Sequence, residues 1–238
     1  MYVDDQRRYV YCLVSKVACT SWKRVALMLT GNMTVNRTSD LSKYKTHNFA
    51  FSDQYIGRLN RMRPADVEYR VKNYFKFMFV RHPFERLVSA YRDKLTRRDQ
   101  YNKMFGVPII RNYRPNATTK ALEEGNDVTF EEFVRYLLDP KTRAKSRFDR
   151  HWLSFHETCH PCHVQYDFIG KFETLQEDAA YVIKRLGGGT KFPVDDPDNK
   201  KWNASSLFVE TMKRNISSES FKKLEELYAM DYAMFGYY

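Results

Sequence analysis

The sequence predicts an α/β fold, a central and mainly parallel sheet flanked by helices, and three observations carry that prediction. Short apolar runs without polar alternation, such as Tyr9 to Val14 and Tyr74 to Val80, suit strands buried on both faces. Each is followed by a polar turn and then an amphipathic stretch, so strands and helices alternate along the chain. No internal repeat or low-complexity linker interrupts the alternation.

The elements follow in order. Tyr9-Val10-Tyr11-Cys12-Leu13-Val14 is the first strand, and Trp22 to Leu29 the first helix, closed by Gly31 at a C-cap position. Residues 32–48 are polar and read as a surface excursion. Tyr74 to Val80 is the next strand, Arg81-His82-Pro83 breaks it, and Phe84 to Leu95 is a helix with Pro83 near its first turn. Phe130 to Leu138 is a helix that Asp139-Pro140 ends. Tyr166 to Phe172 reads as strand. Thr174-Leu175-Gln176-Glu177 has the spacing of a capping box for a helix to Leu186, with Gly187, Gly188 and Gly189 beyond it. Ser220 to Met230 is a last amphipathic helix. Ligands of such sheets bind at the carboxyl ends of the strands, where both strand–loop–helix units place their loops.

At 238 residues the chain fits one large domain spanning 1–238. A hydrophobic content of 43% with 16% aromatics is enough for a core and excludes disorder. A net charge of +11, spread along the chain, implies an anionic partner: a nucleic acid, a phosphorylated cofactor, an anionic glycan or a membrane surface. No apolar run approaches the roughly 20 residues of a membrane span. The start, Met1 to Arg8, lacks the apolar region of a signal peptide. Five N-x-S/T sequons, at Asn32, Asn36, Asn116, Asn203 and Asn215, point to the secretory lumen, with a membrane anchor and stem expected outside this chain.

Two loops carry chemistry. Ser15-Lys16-Val17-Ala18-Cys19-Thr20-Ser21 leaves a strand and enters a helix, so backbone N–H groups and the helix dipole face any anion placed there. Lys16 adds charge, and Thr20 and Ser21 add hydroxyl donors. The nucleotide triphosphatase pattern Gly-x-x-x-x-Gly-Lys-Ser/Thr is absent. In the second loop, Arg81 sits at a strand end where its fork can grip a phosphate, and Ser89 lies two turns into the following helix. Arg86 and Arg92 read as surface ion-pair residues.

Together the loops resemble one family. Tyr11 to Arg24 resembles the 5′-phosphosulfate loop of the Golgi carbohydrate sulfotransferases, and Phe79 to Tyr91 their 3′-phosphate segment. The likeness is to the branch with chondroitin, dermatan and N-acetylgalactosamine 4-O-sulfotransferases and the HNK-1 sulfotransferases. It continues through Asn116 to Thr118, Asp127 to Phe133, His151-Trp152, Cys159-His160-Pro161-Cys162, Tyr166 to Glu173 and Tyr228 to Tyr238, closest to the chondroitin 4-O enzymes. Two positions depart: Ser15 stands where the family usually has Pro, and Ser21 where it usually has Asn.

The resemblance implies a P-loop-like sulfotransferase fold. It implies 3′-phosphoadenosine 5′-phosphosulfate (PAPS) as donor, an anionic glycosaminoglycan such as chondroitin as acceptor, and no metal or nucleic acid. Ser15, Lys16, Val17, Ala18, Cys19, Thr20 and Ser21 would hold the 5′-phosphosulfate, with Lys16 also stabilising the leaving phosphate. The segment Arg81, His82, Pro83, Phe84, Glu85, Arg86, Leu87, Val88 and Ser89 would hold the 3′-phosphate, Arg81 and Ser89 foremost. A histidine should take the acceptor proton. His47 lies where related uronyl 2-O-sulfotransferases carry their catalytic His and is the first candidate; His151 is the second. Cys159-His160-Pro161-Cys162 looks like half a zinc site, but a single C-x-x-C falls short of a ligand set, and a Cys159–Cys162 disulfide is the expectation. Cys12 reads as a buried strand residue and Cys19 as packing. Full-length, such an enzyme is expected as a type II Golgi membrane protein. Dermatan or glycoprotein N-acetylgalactosamine are the alternative acceptors, and a non-catalytic glycosaminoglycan-binding module is the alternative class.

Overall fold

The computed structural model describes residues 1–31, 41, 46, 54–97, 100–145, 147–193 and 206–237. In chain order its strands and helices begin with β1 (Tyr2–Asp4), β2 (Tyr9–Cys12), α1 (Cys19–Leu29), β3 (Gly57–Arg58), α2 (Pro64–Asn73), β4 (Phe75–Val80) and α3 (Pro83–Lys94). They continue with α4 (Val107–Tyr113), α5 (Thr119–Glu124), α6 (Phe130–Leu138), α7 (Pro140–Lys145), α8 (Phe155–Cys159) and β5 (Phe168–Lys171). Last come α9 (Leu175–Arg185), α10 (Ser206–Arg214), α11 (Ser218–Leu227) and α12 (Ala229–Phe235). These form two compact units, residues 1–81 with 155–200 and residues 82–154 with 201–238.

The first unit is a five-stranded sheet in the order β3-β1-β2-β4-β5. β2 and β5 flank β4 in parallel, while β1 runs antiparallel to both β2 and β3. The sheet is therefore mainly parallel, as expected, with β1 as the one reversed strand among those described. The short segment between Asp4 and Tyr9 can close a hairpin but cannot make the crossover that a parallel pair needs. Asp4 Oδ1 accepts the Arg7 N–H at 2.8 Å inside that turn.

Alternation along the strands sends neighbouring side chains to opposite faces. Tyr11, Phe77 and Phe79 share one face, where the Trp22 ring of α1 lies 5.6, 5.2 and 4.7 Å from theirs. On that side Phe168 also meets Tyr181 of α9 at 4.8 Å. Val3 and Val10 face the other way and pack with Val67 and Val71 of α2. Helices thus cover both faces, and buried aromatics form the floor beneath the strand ends. Gly170 is required in β5, since a Cβ there would stand 2.3 Å from the Phe79 ring.

One helix start differs from expectation in how it is capped. α9 opens without a capping box: the Thr174 hydroxyl donates to Asp178 Oδ2 at 2.6 Å, and the same carboxylate accepts the Lys171 N–H at 2.8 Å, tying the helix to the end of β5. A carboxylate four residues on offers the Thr174 hydroxyl a stronger, charge-assisted acceptor. A capping box does open α6, where Thr129 and Glu132 satisfy each other's N–H groups.

The second unit is helical. Its core gathers Phe84, Leu87 and Val88 of α3 with Phe130, Phe133, Val134, Trp152 and Leu224. The last helix expected from the sequence is two, α11 and α12, broken at Tyr228. Tyr228 is buried and its hydroxyl donates to the Trp152 carbonyl at 2.6 Å, an anchor that a continuous amphipathic pattern does not reveal.

Candidate active site

The first loop has the conformation of an anion receptor. It joins the end of β2 to the N-terminus of α1, and two of its non-glycine residues have positive φ: Lys16 at 71° and Ala18 at 58°. Left-handed backbone costs an L-residue about 1–2 kcal/mol and persists only where its surroundings enforce it. Val14 and Val17, both fully buried, and Trp22 under the first helical turn supply that enforcement. Alternation of handedness along a loop turns successive N–H groups toward one side, a concavity suited to an anion. Ala18 is the N-cap of α1, its carbonyl accepts the Trp22 N–H at 3.0 Å, and no side chain caps the helix. The dipole of α1 points into the same concavity. Ser15, Lys16, Ala18, Cys19 and Thr20 are half-buried, whereas Ser21 is fully buried.

Arg81 stands at the same edge. β2 and β4 are parallel neighbours with Cys12 beside Met78, so the loop after Cys12 and the residues after Val80 leave the sheet on one side. Arg81 is buried, and its guanidinium carbon lies 4.2 Å over the ring of Phe172, the residue that follows β5. The Phe172 N–H in turn donates to the Val80 carbonyl at 2.8 Å. In the first unit, then, an amide-lined loop with a lysine and an oriented arginine share the carboxyl edge of adjacent parallel strands.

The rest of the second segment belongs to the second unit. His82 is the N-cap of α3, Pro83 its first residue, and Phe84, Leu87 and Val88 point into the core. His82 and Glu85 line a groove of about 740 Å³ with residues of α10, α11 and α12. Ser89 is buried on α3. Arg86 is no surface residue: it is buried and donates to the carbonyls of Leu153 at 2.7 Å and Arg150 at 3.3 Å, so it holds the segment before α8. The α-helical period places residue 86 inward, which a reading of charge alone missed.

His47 lies outside the described residues. His151 is buried in the second unit, with Nδ1 2.6 Å from Asp149 Oδ1 and 3.2 Å from the Tyr101 hydroxyl. The short contact to Asp149 places the Nδ1 proton toward the carboxylate and leaves Nε2 as the basic nitrogen. Burial lowers the imidazole from 6.5 to about 4, against the opposing pull of Asp149 and with the help of Lys94 and Arg150. Burial alone would raise Asp149, but its hydrogen bonds from His151 bring it below 3.8. Both groups bind protons more readily when unfolded, so stability must rise with pH over the range where they titrate. The His151 contribution is complete above 6.5 and is lost as pH falls toward 4, an effect of about 3 kcal/mol. Urea unfolding at several pH values should show this slope, and His151→Gln should flatten it.

The cysteines correct the sequence reading. Cys12 bonds to Cys159, not Cys159 to Cys162, with Cα atoms 5.8 Å apart. The two meet because Cys12 ends β2 on the face opposite Trp22, where α8 ends with Cys159. The bridge clamps the strand immediately before the anion-receptor loop. Cys162 is exposed and Cys19 is half-buried, both as free thiols. With the Cys159 sulfur in the bridge, Cys159 and Cys162 cannot act together as thiolate ligands, and no group of three or more metal-ligating residues is assembled among the described residues.

A loop of this form beside an arginine at the carboxyl edge of parallel strands is a shape that suits an anion in an α/β protein. The family model of the sulfotransferases matches residues 1–238, and the chain belongs to that family. Carbohydrate sulfotransferase 11 of Rattus norvegicus is 41% identical over 241 residues, covering 100% of this chain and 66% of the relative. Carbohydrate sulfotransferase 14 of Danio rerio is 37% identical over 238 residues, covering 99% of this chain and 61% of the relative. Carbohydrate sulfotransferase 9 of Homo sapiens is 36% identical, with 100% of this chain and 53% of the relative covered. The chain thus spans just under two thirds, or less, of the length of these relatives. No solved structure matches.

Proposed function

We propose that residues 1–238 are the catalytic domain of a PAPS-dependent carbohydrate sulfotransferase, acting on the 4-hydroxyl of N-acetylgalactosamine in chondroitin. The observation that carries this reading is the loop with left-handed Lys16 and Ala18, set beside Arg81 on the adjacent parallel strand. Its amides and the Lys16 ammonium suit the 5′-phosphosulfate, and Arg81 suits the 3′-phosphate. The sugar oxygen attacks sulfur in line with the bridging S–O bond, which breaks and leaves its electron pair on the phosphate. Charge neutralisation by Lys16 and positioning by the loop supply most of the acceleration. His47 is the proposed base for the acceptor proton. His151 stays second, because its contacts with Asp149 and Tyr101 give it a framework task.

The chondroitin assignment rests on the sequence resemblance and on the +11 charge, which suits a chain of regularly spaced carboxylates. A Golgi lumenal setting, with an anchor outside this chain, fits the five sequons and a disulfide that an oxidising compartment preserves. Among the described residues no helix is long and apolar enough to cross a membrane. The test is transfer of radiolabel from PAPS to chondroitin, dermatan and an N-acetylgalactosamine-terminated glycan in parallel. Label at the 4-position of chondroitin is the expected outcome. Label only on another acceptor replaces the substrate, and no transfer with no nucleotide binding returns the chain to a polyanion-binding module.

A further inference from the structure

We infer that Phe172 is a positioning residue that sets the protein's preference for a nucleotide carrying a 3′-phosphate. This rests on the functional reading above and adds a residue and a selectivity to it. The Arg81 guanidinium carbon lies 4.2 Å over the Phe172 ring, and Arg81 is 2% exposed. A guanidinium binds an aromatic ring through its face and a phosphate through its N–H edges, so the two contacts are compatible. A ring is also uncharged. It offsets part of the cost of burying the cation.

The backbone makes the ring a fixed reference. Phe172 follows β5 directly, its N–H bonds to the Val80 carbonyl at 2.8 Å, and Val80 pairs with Lys171 in register. Val80 is also the residue before Arg81, so ring and guanidinium hang from one ladder of adjacent strands. Orientation held in advance lowers the entropy lost when a flexible side chain binds. Phe172 is only half-buried and lies outside the fully buried core, so its side chain can be changed without opening a large cavity.

The experiment is calorimetric titration of the whole chain with adenosine 3′,5′-bisphosphate and adenosine 5′-phosphate, for wild type, Phe172→Leu and Phe172→Tyr. We expect wild type to favour the bisphosphate. Phe172→Leu should weaken bisphosphate binding on the order of tenfold while leaving the monophosphate unchanged, and Phe172→Tyr should restore the preference. An equal loss for both nucleotides, or no loss for either, overturns the assignment of Phe172 while leaving the sulfotransferase reading in place. Wild type that binds neither nucleotide, or binds both equally, overturns that reading and this inference with it. Thermal melting of the three proteins separates a folding defect from a binding one. A Phe172→Leu protein that melts like wild type and keeps full discrimination also rejects the role.

Discussion

Lys16→Ala is expected to lower kcat/KM for sulfuryl transfer by about 10²–10³-fold, the usual loss when one preorganised group facing developing charge is removed. The leaving phosphate gains negative charge as the S–O bond breaks, so the ammonium is worth more in the transition state than in the ground state. Most of the loss should therefore fall on kcat. Because Lys16 has a φ of 71°, alanine inherits the same backbone strain, while glycine relieves it. Lys16→Gly should accordingly be as inactive as Lys16→Ala but more stable. Activity retained in the glycine variant alone would assign the effect to loop geometry and not to charge. Arg81→Ala should lose transfer as well, through weaker binding of the 3′-phosphate. Full activity in both folded alanine variants would remove these residues from the site.

The second large effect concerns stability. Cys12→Ser should destabilise the protein by several kcal/mol, because the bridge joins residues 147 positions apart and constrains the unfolded chain by about 5 kcal/mol in the chain-entropy account. Cys162→Ser, at an exposed free thiol, should change stability by no more than about 0.5 kcal/mol. Denaturant unfolding of the two variants, with peptide mapping under non-reducing conditions, distinguishes the pairings. If Cys159 paired with Cys162 instead, Cys162→Ser would cost more and Cys12→Ser less. The clamp also precedes the anion loop directly, so Cys12→Ser should raise KM for the donor.

Much of this was legible in the residues. The apolar runs at Tyr9 and Tyr74 are strands β2 and β4, and they are parallel neighbours, as the repeated strand–loop–helix plan implied. Helix α6 keeps the bounds read from Phe130 and Leu138, because an amphipathic period and the Asp139-Pro140 stop are local signals. The loop at Lys16 was legible as a strand-to-helix turn, because β2 and α1 lie on either side of it as the local pattern implied.

Local pattern could not decide what distant segments do to one another. Arg86 and Arg92 look alike in sequence, but one is buried against the carbonyls of Leu153 and Arg150, and the other stands with its guanidinium 5.1 Å from the Phe208 ring. The disulfide partner of Cys159 depends on strand Tyr9–Cys12 arriving beside α8, a meeting across the chain that spacing cannot encode. Phe172 carried no chemical signal of its own, since it reads only as the end of a strand until the arginine stacked on it is seen. The α/β alternation and the two strand–loop–helix units could be read from residues close together in the chain, because helix caps, strand runs and charged turns are short-range effects. The Cys12–Cys159 bridge and the pairing of Arg81 with Phe172 emerged with the fold alone, because those contacts join residues far apart in the chain.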